Sequence, residues 1–180
     1  MQILKRLSFS FLFLILANTA FSQAFINPII KGYGGIIDAP HALEKPDPTM
    51  EYKVVIDIAT GDSDPEAVMY SLQNVARLLN LHAMGGMPAN KMNVVLAIHG
   101  GAIWSTLDNE TYKAKYGVDN PHLPLFKELE NAGVRLFACS QSLMGREIDH
   151  AKLASEVKVA TSMLSVMTTY QLKGYAALKF

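Results

Sequence analysis

Short apolar segments that alternate with stretches of helical period constrain the fold of this 180-residue chain more than any other feature. Uniform runs of β-branched and large apolar residues, such as VVI and NVVLAI, are typical of buried strands. The segments predicted to be strands are 52–58, 93–98, 134–138, 157–160 and 175–179. Strands of this kind, separated by helices, favour a mainly parallel sheet with helices on both faces. We therefore predict one α/β domain over residues 51–180, a three-layer α/β/α sandwich with a sheet of about five strands.

Polar residues and glycines predict where the helices begin and end. Asp64 and Asn120 are each followed by proline, and a side-chain acceptor before proline is a favoured helix start. From Asp64 the period of Val68, Leu72, Val75 and Leu79 predicts a helix that runs to about Asn80 or His82. Further boundaries are predicted at Gly133, Asp149, Ser162 and Gly174.

The first 22 residues have the pattern of a secretory signal peptide. Lys5 and Arg6 precede an apolar run, Phe9 to Ala17, that is too short to span a bilayer. Small residues after this run allow cleavage after Ser22 or after Ala24. We expect an exported protein, periplasmic or secreted, with no membrane attachment after cleavage; the alternative is an N-terminal membrane anchor.

Residues 23–50 are rich in proline and glycine and show no sustained period. We expect an extended N-terminal arm that lies on the domain or on a neighbouring subunit, with Ile36 and Ile37 as its anchors.

Charge and motifs exclude several classes of function. The chain has 16 Lys+Arg and 16 Asp+Glu, and loss of Lys5 and Arg6 leaves 14 against 16. No basic stretch survives, so nucleic acid is not predicted as a partner. Neither a G-x-x-x-x-G-K-[ST] loop nor a G-x-G-x-x-G turn after the first strand is present, and no cofactor is predicted. Asp62 and Asp64 could suggest a cation site, but Asp64 with Pro65 is explained as a helix start, so no metal is assigned to the pair.

Cys139 is the one cysteine of the chain, at the end of the third predicted strand. In open parallel sheets ligands bind beyond the carboxyl ends of the strands, so this position is at the functional edge. An unpaired cysteine in an exported protein indicates either a reactive thiol or intermolecular pairing. The alternative is a buried cysteine that packs as a small apolar side chain.

Several residues near Cys139 could lower the pKa of its thiol or shape a ligand site. A thiolate is favoured by backbone N–H groups at a helix start and by nearby cations. His99, after the second strand, and Arg146 are the candidate electrostatic helpers, although each could be purely structural. The candidate ligand-binding residues are Gly100, Gly101, Ser140 and Ser142.

A second group, His82, Met84, Met87 and Met92, contains thioether and imidazole ligands of the kind that copper(I) prefers. The spacing fits no familiar ligand pattern, and methionine is a common core residue. Copper binding is therefore kept as the less favoured alternative.

Four elements together resemble the DsrE/DsrF-like family, which has the YchN-like fold. They are KVVIDI followed by Asp-Pro-Glu, a second strand that ends in His-Gly-Gly, AGVRLFAC at the third strand, and YQLKGYA near the end. The resemblance covers residues 52–179. It implies a three-layer α/β/α domain that forms homo-oligomers, trimers or hexamers.

In characterised members a cysteine at the end of this strand carries sulfur as a persulfide, and Cys139 occupies the matching position. Those members are cytoplasmic, whereas this chain begins with an export pattern. The resemblance thus implies an exported sulfur carrier, with small sulfur species or an unidentified protein as partner. The alternative from a different class is a non-catalytic oligomeric module for small-ligand binding or interaction, with Cys139 buried.

Overall fold

A computed structural model describes residues 24–180, and the predicted signal peptide lies outside the described residues. Within this range the chain forms a five-stranded sheet in the order β4-β3-β2-β1-β5, with every neighbouring pair parallel. The strands are β1 (Tyr52–Ile58), β2 (Met92–Ile98), β3 (Arg135–Cys139), β4 (Val157–Ala160) and β5 (Ala176–Lys179). The predicted sheet is confirmed, and each strand lies within a residue or two of its predicted range.

Helices cover both faces of the sheet. The α-helices are α1 (Tyr70–Met84), α2 (Asn109–Tyr116), α3 (Leu123–Asn131), α4 (Ser140–Met144) and α5 (Met163–Leu172). Shorter 3-10 segments are Ala89–Lys91, Gly100–Thr106 and His150–Lys152. Even-numbered residues of β1 and β2, such as Ile56 and Leu96, pack with α1 and α3 in the larger core. Odd-numbered residues such as Val55 and Val95 pack against α5. The three-layer α/β/α sandwich is therefore confirmed.

Two predicted helix starts are wrong, and in both cases the polar residue makes a different bond. Asp64 Oδ1 accepts from the Glu66 N–H at 2.9 Å within a loop, so α1 begins only at Tyr70. Asn120 is buried and donates to the carbonyl oxygens of Ser105 and Leu107, so α3 begins at Leu123. A local turn engages the Asp64 side chain and tertiary contacts engage that of Asn120, so neither caps the helix that local propensity predicts.

The other predicted boundaries are confirmed. Asp149 accepts from the Ala151 N–H, and Ser162 accepts from the Ser165 N–H in a capping box. Gly133 and Gly174 follow α3 and α5 with positive φ, the backbone region in which glycine is favoured.

Residues 24–50 lie against α1. Ile26 and Ile36 form an antiparallel bridge, with N–H···O distances of 2.9 and 3.0 Å, that closes a loop around the fully buried Ile30. Ile36 is buried as predicted, but Ile37 is 38% exposed and is not an anchor. Ile30 takes that role.

No helix within residues 24–180 combines the length and apolar character needed to cross a membrane.

Candidate functional site

Cys139 lies where two helices begin. It is the last residue of β3 and the N-cap of α4. The N-terminus of α5 meets it from the other side, because the backbone N–H of Met163, the first residue of α5, interacts with the thiol. Helix N-termini present N–H groups without intrahelical partners and carry partial positive charge. The sulfur therefore has a surrounding suited to a negative charge.

Hydrogen-bond donors around the Cys139 sulfur favour the deprotonated form of the thiol. Burial alone raises the pKa of Cys139, since the residue is only 6% exposed. The N–H groups of Met163, Ser142 and Gln141 and the Ser142 hydroxyl outweigh burial and bring the pKa below its ordinary value. A neutral thiol is a weak acceptor, so donors in this arrangement favour the thiolate.

The Ser142 hydroxyl is itself oriented by the turn after β2. Its Oγ accepts from the Gly100 N–H at 3.3 Å, which leaves the hydroxyl hydrogen for the sulfur of Cys139. Gly100 has φ +54°, and a Cβ there would lie 2.6 Å from the carbonyl oxygen of Ala59. Glycine is thus required by both the backbone conformation and the available space. Gly101 is also crowded, with a Cβ position 3.1 Å from the backbone nitrogen of Gly61.

His99, Asp57 and Lys179 lie in a row along the same edge of the sheet. The pairing of Ile98 with Ala138 sets His99 beside Cys139 on neighbouring strands. Its imidazole, however, bonds to the other neighbour: Nε2 lies 2.5 Å from Oδ1 of Asp57. Lys179 Nζ lies 3.7 Å from Oδ2 of the same carboxylate. A carboxylate only accepts, so Nε2 carries the proton and Nδ1 is free to accept in the neutral ring.

The other two candidates bond to backbone carbonyl oxygens. The Ser140 hydroxyl donates to Thr161 at 2.7 Å, which ties the start of α4 to the segment before α5. Arg146 is exposed and donates to the carbonyl of Ser142 at 3.4 Å. A direct role of either residue at the sulfur stays a prediction.

Sequence reasoning missed Met163, Asp57 and Lys179. Met163 acts through its backbone N–H, which no side-chain pattern reveals. Asp57 had a signal, because it is the one carboxylate in the otherwise apolar end of β1. Such a residue in a buried strand is expected to have a charged or hydrogen-bonded partner.

The methionine and histidine group is largely occupied by packing. Met87 and Met92 are buried in the larger core, and His82 Nδ1 lies 2.8 Å from the carbonyl oxygen of Leu78. The His82 ring also packs edge-on against Tyr52. These contacts favour the core-packing alternative over copper binding.

Comparisons with known protein families and solved structures support the observed fold. The model of the DsrE/DsrF-like family matches residues 53–180. No curated protein sequence shows significant similarity to the chain. Two solved structures share the fold: the protein of unknown function MTH1491 from Methanobacterium thermoautotrophicum and the ychN protein from E. coli. The first has 22% identity and a TM-score of 0.54, the second 19% and 0.53, and each match covers 72% of this chain and 99% of the other.

Proposed function

The chain belongs to the DsrE/DsrF-like family, and from this premise we propose that it is an exported sulfur carrier whose Cys139 thiolate holds sulfur as a persulfide. One observation supports the proposal most directly. The Cys139 sulfur is surrounded by hydrogen-bond donors from two helix N-termini, and they lower the pKa of the thiol. Both the thiolate and the persulfide anion would gain from those donors.

The transfer is balanced without an external oxidant. The Cys139 thiolate attacks the outer sulfur of thiosulfate, a new S–S bond forms, and sulfite leaves with the electron pair of the broken S–S bond. In the second half, an acceptor thiolate attacks the outer sulfur of the persulfide and regenerates the Cys139 thiolate. Low pKa makes Cys139 a good leaving group in that second step.

In this proposal His99 exchanges a proton with the arriving or departing sulfur species through its free Nδ1. Asp57 holds the imidazole by its Nε2 proton, and Lys179 compensates part of the carboxylate charge. Arg146, which donates to the carbonyl oxygen of Ser142, is a further cation near α4. The Gly100–Gly101 turn, Ser140 and Ser142 shape the backbone around the reacting sulfur.

We place this carrier outside the cytoplasm, in the periplasm or secreted. The proposal rests on Lys5, Arg6 and the apolar run Phe9 to Ala17. Cleavage after Ser22 or after Ala24 would leave the Ile26–Ile36 bridge of the arm intact.

Sulfur uptake tests the proposed function. We expect thiosulfate or polysulfide to add about one sulfur atom per chain, seen by intact-mass spectrometry and removed by a thiol reductant, because the anion-stabilised thiolate is the nucleophile. The matched variant Cys139→Ser should take up none. Equal uptake by the Cys139→Ser protein would refute a carrier role for this residue.

A second candidate is a non-catalytic module, favoured by the low exposure of Cys139. It predicts that a thiol reagent labels the native protein only after denaturant is added. Rapid labelling of the native protein at neutral pH would instead support the carrier, because a thiolate must reach the solvent to react.

We also propose a homo-oligomer, a trimer or hexamer. Within residues 24–180 the outer sides of the two edge strands, β4 and β5, have no partner strand, and α5 exposes 69% of Leu164 and 90% of Leu172. Exposed apolar side chains near open edges are typical of interfaces. Light scattering should give three or six times the mass of one chain, and a monomer at micromolar concentration would contradict the assembly.

A further inference from the structure

A cavity of about 200 Å³ opens at the carboxyl edge of the sheet, on the face covered by α1, and Cys139 does not line it. Its walls come from the loop after β1, from the 3-10 segment after β2 and from α2. The residues that give it chemical character are Asp62, Asp64, Trp104, Tyr112, Tyr116 and His122. Three aromatic rings and two carboxylates thus face one small volume.

Two rings of the cavity wall, Trp104 and Tyr116, also contact an ammonium group of the chain itself, that of Lys115, which does not line the cavity. Nζ of Lys115 lies 3.9 Å from the centroid of the Trp104 ring and 5.3 Å from that of Tyr116. A cation this close to an aromatic face is attracted by the negative potential of the ring. Lys115 makes no ion pair within residues 24–180, so its ammonium is held here by the rings.

The acidic side lacks a charge partner. Asp62 and Asp64 form no ion pair within the described part of the chain, and each accepts only backbone N–H groups of its own loop. Both carboxylates lie close to the cavity walls: Asp62 acts on His122, and Asp64 acts on Tyr112. Two carboxylates without an ion-pair partner in the described part of the chain therefore border the cavity.

His122 cannot compensate these charges. Burial lowers the pKa of His122 to about 4, against the opposing influence of Asp62. Its Nε2 accepts from the Met69 N–H at 3.3 Å, and its Nδ1 donates to Asn120 at 2.8 Å. Both ring nitrogens are thus engaged in a neutral imidazole that forms part of the wall.

The chemistry and size of the cavity select the kind of cation. No three His, Cys, Asp or Glu side chains within residues 24–180 are arranged to hold a metal ion, whereas aromatic faces are typical of sites for organic ammonium groups. A cavity of about 150 Å³ can hold benzene, so one of about 200 Å³ has room for a ligand slightly larger.

We propose that this cavity binds a small organic cation, a quaternary ammonium or protonated amine of about the size of choline. Its charged group lies against the aromatic rings of the wall, beside Asp62 and Asp64. The Lys115 ammonium contacts the same rings from outside the cavity lining, so it repels a bound cation.

Trp104 is the one tryptophan of the chain, so its fluorescence reports on this cavity directly. The intact protein is titrated with choline chloride and with putrescine, with sodium chloride at matched ionic strength as the reference. The neutral carbon analogue of choline, 3,3-dimethylbutan-1-ol, is the control for shape. We expect saturable changes with one or both cations and none with the neutral analogue; which cation binds more tightly distinguishes a quaternary ammonium site from an amine site.

Three variants sharpen the test. Asp62→Asn with Asp64→Asn should weaken binding about tenfold, because two partly exposed charge contacts of about 0.7 kcal/mol each are lost. Lys115→Gln should strengthen it about threefold, because a like-charge repulsion of about 0.7 kcal/mol disappears. Cys139→Ser should bind as the unaltered protein does, so this result stands apart from the outcome of the sulfur-uptake experiment.

The inference is overturned if neither cation gives a saturable change in the unaltered protein or in Lys115→Gln. It is equally overturned if the neutral analogue binds as well as choline, since the cavity would then recognise shape alone. Binding unchanged by the two asparagine substitutions, with circular dichroism showing a native fold, would also overturn it.

Discussion

Met163→Pro should raise the pKa of the Cys139 thiol, because it removes one hydrogen bond to a charged group, which contributes about 1.5–3 kcal/mol. Met163 is the first residue of α5, and its N–H interacts with the sulfur. Proline is favoured at that helix position, and the N–H donor is the only backbone group that it removes. Ser162 before it has φ −163° and ψ 162°, an extended conformation that proline tolerates at the preceding residue. The backbone of α5 should therefore be preserved.

The measurement is the pH dependence of alkylation of Cys139 by iodoacetamide. Below the pKa the rate follows the thiolate fraction, so a raised pKa should slow labelling at neutral pH by about tenfold or more. The matched control is Met163→Ala, which loses the side chain that packs against the smaller core but keeps the N–H. Equal pH profiles for the proline and alanine variants would show that the start of α5 does not stabilise the thiolate.

The half of the site on β2 and β3 follows from the sequence, and the half on α5 does not. Strand order in a parallel sheet sets His99 beside Cys139 because both lie at carboxyl ends of neighbouring strands. The α5 donor is a backbone N–H, identical in every residue except proline, so only the tertiary structure reveals it. The Asp57 bond lies between these cases: the sequence marks a carboxylate in a buried strand, and the fold supplies its partner.

The same distinction explains which fold predictions were wrong. Strands in a parallel sheet are buried on both faces, so their apolar runs are a strong local signal. A helix start depends on whether the capping side chain accepts from the first N–H groups of the helix. Asp64 accepts instead from Glu66 in its own loop, and Asn120 donates to the Ser105 carbonyl oxygen. Ile37 was predicted as an anchor from its apolar character alone, whereas the loop closed by Ile26 and Ile36 buries Ile30.

Asn80→Ala should lower the free energy of unfolding by about 3–5 kcal/mol, the largest stability effect expected from a single polar side chain here. Asn80 lies on α1, is fully buried, and makes four hydrogen bonds to the arm backbone. Oδ1 accepts from the N–H groups of Ile29 and Ile30, and Nδ2 donates to the carbonyl oxygens of Tyr33 and Gly34. Alanine would leave three of these groups without partners, since only the Tyr33 carbonyl oxygen keeps another donor, Asn27 Nδ2.

The free energy with which residues 24–50 dock on α1 sets an upper limit on this loss of stability. If residues 24–50 separate from α1, their backbone groups regain water, and the loss equals the free energy with which the arm docks. That docking energy includes the burial of Ile30 and Ile36, about 1.5–3 kcal/mol each. Ile30→Ala combined with Asn80→Ala should then cost less than the sum of the single losses, because both act through the same contact.

Urea unfolding followed by circular dichroism measures the loss, and trypsin reports on the arm through cleavage after the exposed Lys31. We expect Asn80→Ala to be cleaved there much faster than the unaltered chain, while the domain remains folded. Asn131→Ala, an exposed asparagine at the end of α3, is the matched control and should change stability by less than about 0.5 kcal/mol. A loss below about 1 kcal/mol for Asn80→Ala, with cleavage after Lys31 unchanged, would mean that the arm does not depend on Asn80, because even one buried unpaired group costs more than that.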